Sequence, residues 1–238
     1  MKRFLAALLA ALTVFTLTGC GKTENPAEPV TPGQAEEPTT PTEPELTPEE
    51  IAEQERLAAE KAREERLQAL LNSMTLEEKV GQLFFVRCPA DNAVEDISTY
   101  HLGGYLLFGR DYKDGDVWLT RDQFTQKLQS YQDAASIPLF IGSDEEGGTV
   151  TRASRNPNLF SEPFKSPQVI YSAGGMKALA QDALDKSQAL LDLGINVNFA
   201  PVCDVSTAPG DFIYDRTLGQ DAETTADYIT RTVLTMGD

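Results

Sequence analysis

One histidine, three cysteines and 20 lysines plus arginines are what this 238-residue chain has least of, and each scarcity excludes something. With His101 alone, no HExxH helix or multi-histidine zinc site can be built, and a Ser-His-Asp triad would depend entirely on that residue. The few cations face 37 aspartates and glutamates, a formal charge of -17, so the summed field repels polyanions and argues against nucleic acid as a partner. A GxGxxG fingerprint is absent. Residues 142–149, GSDEEGGT, have phosphate-loop spacing, but Gly148 replaces the lysine and three acids stand where phosphate would sit, so a nucleotide is excluded too.

What is present begins with an export signal. Lys2 and Arg3 precede a largely apolar stretch over 4–17, which is shorter than the ~20 residues needed to span a bilayer. Leu17-Thr18-Gly19-Cys20 closes it in the form of a bacterial lipobox, which makes Cys20 the expected lipidation site and membrane anchor on the extracytoplasmic face. Residues 1–20 are thus expected to be a lipoprotein signal peptide. Cys88 and Cys203 follow different apolar runs and are expected to be separate, buried thiols.

Residues 21–46 are rich in proline, glutamate and threonine. Seven of the fourteen prolines fall between Gly21 and Glu50. Such a composition cannot bury enough surface to fold, and it reads as a disordered spacer. Thr47-Pro48-Glu49-Glu50 combines an N-cap, a first-turn proline and a capping-box glutamate, opening a charged helix over 47–72. Its apolar residues keep no heptad register, which favours a solvated stalk over a coiled coil. Thr75-Leu76-Glu77-Glu78 is a second capping box.

Beyond it, apolar runs at 83–86, 105–108, 138–142 and 195–200 read as strands buried on both faces. Helical stretches at 120–135, 176–193 and 223–236 alternate with them. Strand and helix in turn imply parallel pairing, in either a doubly wound sheet or a (β/α) barrel. In both, ligands gather at the carboxyl ends of the strands. There the chain places Gly109-Arg110-Asp111, then Ser143-Asp144-Glu145-Glu146-Gly147-Gly148, then Pro201-Val202-Cys203-Asp204. Clustered acids suit a hard cation, or sugar hydroxyls with Arg152 as the complementary donor, or simply a helix cap with solvated neighbours.

Five blocks narrow the choice: MTLEEKVGQLFFV (74–86), LGGYLLFGRD (102–111), PLFIGSDEEGGTVTR (138–152), LGINVNFAPVCDV (193–205) and IYDRTLGQD (213–221). In order and spacing they resemble the N-terminal barrel domain of glycoside hydrolase family 3, most closely its β-N-acetylhexosaminidase branch. The resemblance covers residues 74–238 and implies an α/β fold, a (β/α)8 TIM-type barrel of which only the first half or so is present. It implies sugar binding by Asp144, Arg152 and Arg216, with Glu146, Gly147 and Gly148 shaping the loop. Thr149 stands where an arginine is common and Tyr214 where a glycine is common.

The chemistry implied is retaining double displacement by an aspartate nucleophile and an acid/base histidine, acting on terminal β-linked N-acetylhexosamine. No cofactor is implied. The loop bearing that histidine and the nucleophile strand belong after the IYDR block and have no counterpart here, so no catalytic residue is assigned. His101 precedes its strand and is expected to be structural, at the opposite rim. A whole barrel takes about 250 residues, so the chain is expected to be part of a longer enzyme or of a truncated frame, inactive by itself. A β-glucosidase-like relative and a noncatalytic sugar-binding lipoprotein remain as alternatives.

Overall fold

The computed structural model describes residues 46–237. The signal, Cys20 and most of the spacer lie outside them. The chain divides into Met1–Glu53 and Gln54–Asp238. In chain order the elements are α1 (Pro48–Ser73), α2 (Leu76–Gln82), β1 (Phe85–Arg87), α3 (Ala93–Tyr100), β2 (Gly104–Leu107), a 3-10 turn (Gly109–Tyr112), β3 (Lys113–Asp114), β4 (Val117–Trp118), α4 (Arg121–Ala134), β5 (Phe140–Ser143), α5 (Pro167–Leu191), β6 (Val197–Asn198), a second 3-10 turn (Tyr214–Arg216) and α6 (Ala222–Gly237).

Helix α1 has no buried residue and is held by local pairs such as Arg56–Glu60 and Lys61–Glu65. No described helix is long and apolar enough to cross a membrane. Capping boxes start α2 at Thr75 and α4 at Thr120, each satisfying otherwise unpaired first-turn amides.

The main sheet has the order β1-β2-β5-β6, parallel throughout. Side chains alternate between its faces. On the outer face Tyr105, Leu107 and Ile141 are fully buried against Phe124, Leu128 and Tyr131 of α4, Ile97 of α3 and Leu190 of α5. Tyr105 meets Tyr131 edge-on at 5.5 Å, and Tyr112 stacks on Phe124 at 4.9 Å. On the inner face Phe85 lies across the strands, 5.3 Å from Phe199 and 6.5 Å from Phe140. Only glycine fits beneath that ring: a Cβ on Gly104 would come within 2.3 Å of it, and one on Gly142 within 2.6 Å.

The expectation of strands buried on both faces therefore fails for the inner one. Phe140 is 59% exposed and Phe199 47% exposed. The outer face alone has helices against it among the described residues, which is the arrangement of a barrel wall and not of a doubly wound sheet. Helix α3 and the β3–β4 hairpin were not anticipated, and α5 begins nine residues earlier than expected. Two glycines conceal that start: Gly174 and Gly175 break the helical dihedrals within α5, with φ of 63° at Gly175. Both Cys88 and Cys203 are free thiols as expected, but Cys203 is exposed because it lies beyond the last ladder of β6 rather than within the core.

Candidate functional site

Strand β5 ends at Ser143, whose hydroxyl meets the Tyr112 hydroxyl at 2.8 Å in a fully buried contact. Burial pushes the Tyr112 phenol upward, so it remains a neutral hydrogen-bonding group at ordinary pH. The next three residues are the acids, and each does something different.

Glu145 is wholly buried and turned under the loop that follows. Its carboxylate accepts from the Arg152 and Ala153 amides at 2.9 and 2.7 Å and from the Ser154 hydroxyl. The Ser154 oxygen in turn accepts from the Phe164 amide at 3.1 Å. The Glu145 backbone is clamped by Asn198 of β6, which accepts from its amide at 2.9 Å and donates to its carbonyl at 3.2 Å. Glu145 thus fixes the path of residues 145–154 and has no oxygen left for a ligand.

Glu146 accepts two hydrogen bonds from Arg216, Nε at 2.8 Å and Nη2 at 2.7 Å, a bidentate pair between β5 and the Tyr214–Arg216 turn. The carboxylate is nearly buried while the guanidinium remains a third exposed. These bonds raise the Arg216 pKa, and the charges of Glu146, Asp204 and Asp144 act in the same direction, so Arg216 faces the same acidic rim as Asp144. Behind it, the largely buried Lys186 of α5 donates to the Glu146 carbonyl at 3.4 Å and pairs with Asp182 at 3.1 Å.

Asp144 accepts through Oδ2 from Arg152 Nη2 at 3.1 Å, both side chains partly exposed. The Arg152 Nε is buried with no hydrogen-bond partner. Its guanidinium carbon lies 5.5 Å from the centre of the Phe108 ring, just past β2. Gly147 and Gly148 hold φ of 94° and 67°, and a Cβ on Gly147 would sit 2.1 Å from the Lys165 carbonyl oxygen, so this turn requires glycine.

Asp144, Arg152 and Arg216 thus come from the carboxyl side of the sheet, two of them in contact and the third joined to the residue two places along. Each of the three acids accepts from protein donors, and among the described residues no group of three or more His, Cys, Asp or Glu is placed to hold a metal. Thr149 is exposed and Tyr214 forms the first residue of the turn that presents Arg216, its carbonyl accepting from Gln168 at 2.6 Å. His101 caps α3 in the left-handed conformation ahead of β2, its carbonyl bound by Gln82, at the other end of the strands. The loop-anchoring part of Glu145, and its partners Ser154 and Asn198, had no local sequence signal.

Residues 75–238 match the Glycosyl hydrolase family 3 N terminal domain. A beta-hexosaminidase, LpqI, of Mycobacterium tuberculosis is 29% identical over 153 residues, covering 63% of this chain and 37% of its own. Beta-hexosaminidase A of Pseudoalteromonas piscicida is 34% identical over 119 residues, covering 49% and 19%. The solved structure of a family 3 beta-N-acetylglucosaminidase from a Paenibacillus species superposes with a TM-score of 0.58 at 28% identity, over 70% of this chain and 31% of that one. The chain therefore spans little more than a third of its curated relatives at most. With the family matched across the whole parallel sheet and its acidic rim, this chain belongs to the glycosyl hydrolase family 3 N-terminal domain family, and its four strands are part of a (β/α)8 barrel.

Proposed function

We propose that the whole protein is a glycosidase that removes terminal β-linked N-acetylhexosamine with retention, from cell-wall or other amino-sugar substrates, and that it acts outside the cytoplasm as a lipoprotein anchored at Cys20. The observation that carries the catalytic reading is the pair of arginine–carboxylate contacts at one end of one parallel sheet, Arg152–Asp144 and Arg216–Glu146. Relatives named beta-hexosaminidases support the choice of sugar.

In this reading Asp144 accepts from hydroxyls of the non-reducing-end sugar. Arg152 occupies Oδ2 and leaves Oδ1 without a protein hydrogen bond, so the free oxygen is aimed by the pair. Arg152 Nε supplies a donor that now lacks an acceptor. Arg216, fixed in both in-plane directions by Glu146, lines the same sugar site. Charge-assisted bonds of this kind hold a pyranose in one orientation while an oxocarbenium-like transition state forms. No nucleophile or acid/base is assigned among residues 75–238.

The test is hydrolysis of an aryl β-N-acetylglucosaminide by the full-length protein. Asp144→Ala should lower kcat/KM about 100-fold, equivalent to about 2.7 kcal/mol. Wild type without turnover would overturn the activity, and a variant with unchanged kinetics would remove Asp144 from the site. Lipid anchoring predicts that Cys20→Ser moves the protein from the detergent phase to the aqueous phase.

A further inference from the structure

We infer that Lys186 of α5 is a positioning residue for Arg216: from outside the barrel wall it fixes the main chain of Glu146, and through the Glu146–Arg216 pair it sets where that guanidinium meets the sugar. This rests on the glycosidase reading above and deepens it. Leu179, Ala183, Lys186 and Leu190 recur at helical spacing and form the buried stripe of α5 beyond its glycine break, with Leu190 packed against the outer face of the sheet. Three of the four are the apolar residues that such a stripe calls for. The fourth is the one buried lysine or arginine among the described residues.

Taking an ammonium group out of water is costly unless protein partners replace the water, and an ion pair alone would not require it. Asp182 stands one turn earlier on the same helix and is 21% exposed, so its 3.1 Å pair with Lys186 could have formed at the surface. Instead Nζ is carried inward, where it donates to the Glu146 carbonyl at 3.4 Å and stands 5.3 Å from the centre of the Phe164 ring. Those two residues flank the glycine turn: Glu146 precedes Gly147, and the Phe164 carbonyl accepts from the Gly148 amide at 2.8 Å. Glu146 is thus held at its amide by the Val150 carbonyl, at 3.1 Å, and at its own carbonyl by Lys186. What remains is its carboxylate, the seat for Nε and Nη2 of Arg216. A bidentate pair ties the plane of one group to the plane of the other, so a rotation of the Glu146 peptide turns the Arg216 fork. A displacement of about 1 Å in such a group is enough to weaken its hold on a substrate severely.

The experiment uses the full-length protein and an aryl β-N-acetylglucosaminide. Asp182→Asn alone leaves Lys186 on Glu146 and should keep kcat/KM within about twofold of wild type. Asp182→Asn combined with Lys186→Met removes both charges together, so it should melt with Asp182→Asn alone yet lose about tenfold in kcat/KM, carried by KM. Lys186→Gln, too short to reach the carbonyl, should raise KM by a similar factor and supplies the answer if methionine is not tolerated. In an Arg216→Ala background the Lys186 change should have no further effect, because the residue acts only through that guanidinium. Unchanged kcat/KM without Lys186, a loss carried by kcat alone, or the same tenfold loss in the absence of Arg216 overturns the inference alone. Failure of wild type to cleave the aryl N-acetylglucosaminide overturns the glycosidase reading, and the inference with it.

Discussion

At the amino ends of the strands, side-chain amides bridge neighbouring backbones, whereas at the carboxyl ends one such bridge, from Asn198 to Glu145, is joined by carboxylates that accept from backbone, hydroxyl and guanidinium donors. Gln82 donates to the His101 and Leu102 carbonyls at 2.9 and 3.2 Å. Gln132 both donates to and accepts from Leu139, and Asn196 accepts from the Ile141 amide at 2.7 Å while donating to the Leu139 carbonyl at 3.1 Å. Across the sheet, Glu145, Glu146, Asp144, Arg152 and Arg216 do the corresponding work with charge. A neutral amide needs little beyond a good partner to be buried, but a buried carboxylate is tolerable only with several donors around it. The amino rim is therefore a seam that closes the fold. At the carboxyl rim the same bonds also leave charged groups half-exposed and aimed, which is what a polar ligand requires.

The contrast can be broken most forcefully at Glu145. Glu145→Ala leaves the Ala153 amide and the Ser154 hydroxyl without their acceptor, and should cost about 3–5 kcal/mol in denaturant unfolding of the full-length protein, with activity lost because residues 145–154 shift. A stable, active variant would show that the loop has another anchor. At the opposite rim, Asn196→Ala should cost about 1–2 kcal/mol by unpairing the Ile141 amide, and leave kcat/KM for an aryl N-acetylglucosaminide unchanged. A kinetic defect there would erase the division between the two ends.

The smallest effect concerns Asp221 before α6, whose carboxylate accepts from the Thr224 amide at 2.8 Å. That bond lowers its pKa below the usual carboxylate value. Since the folded value is the lower one, the stabilisation is complete above the unfolded pKa, near 4, and disappears as pH falls through the folded value. Asp221→Asn keeps the cap and removes this pH dependence, so the difference in melting temperature between the two proteins should shrink between pH 6 and pH 3. A constant difference would mean that the charge itself adds nothing at this helix start.

Much of this was legible in the chain. The capping boxes at Thr47 and Thr75 mark their helices within a residue, because a cap is a local contest between side chain and backbone. The apolar runs located all four strands, although β6 shrank to Val197–Asn198, since an apolar run reports burial and not the number of ladder bonds a neighbour provides. Helix α3 escaped notice because Ala93–Tyr100 is only eight residues long and lacks a side-chain cap at Asn92. In the site, Asp144, Arg152 and Arg216 stood out by residue type and by their blocks. Glu145 could not be separated from its two acidic neighbours, since all three have the same side-chain chemistry and only burial distinguishes them.

By itself the sequence determined the parallel alternation, the rim on which charge would collect and the family to which these blocks belong, because each depends on periodicity or on short ordered motifs. Tertiary structure alone decided which acid anchors, which pairs and which stays available. It also decided that Arg87, unremarkable in the chain, stands over the same ring as Arg152. The reason is physical: a carboxylate's task is set by the donors brought to it, and those arrive from residues up to 70 positions away, as Arg216 does for Glu146.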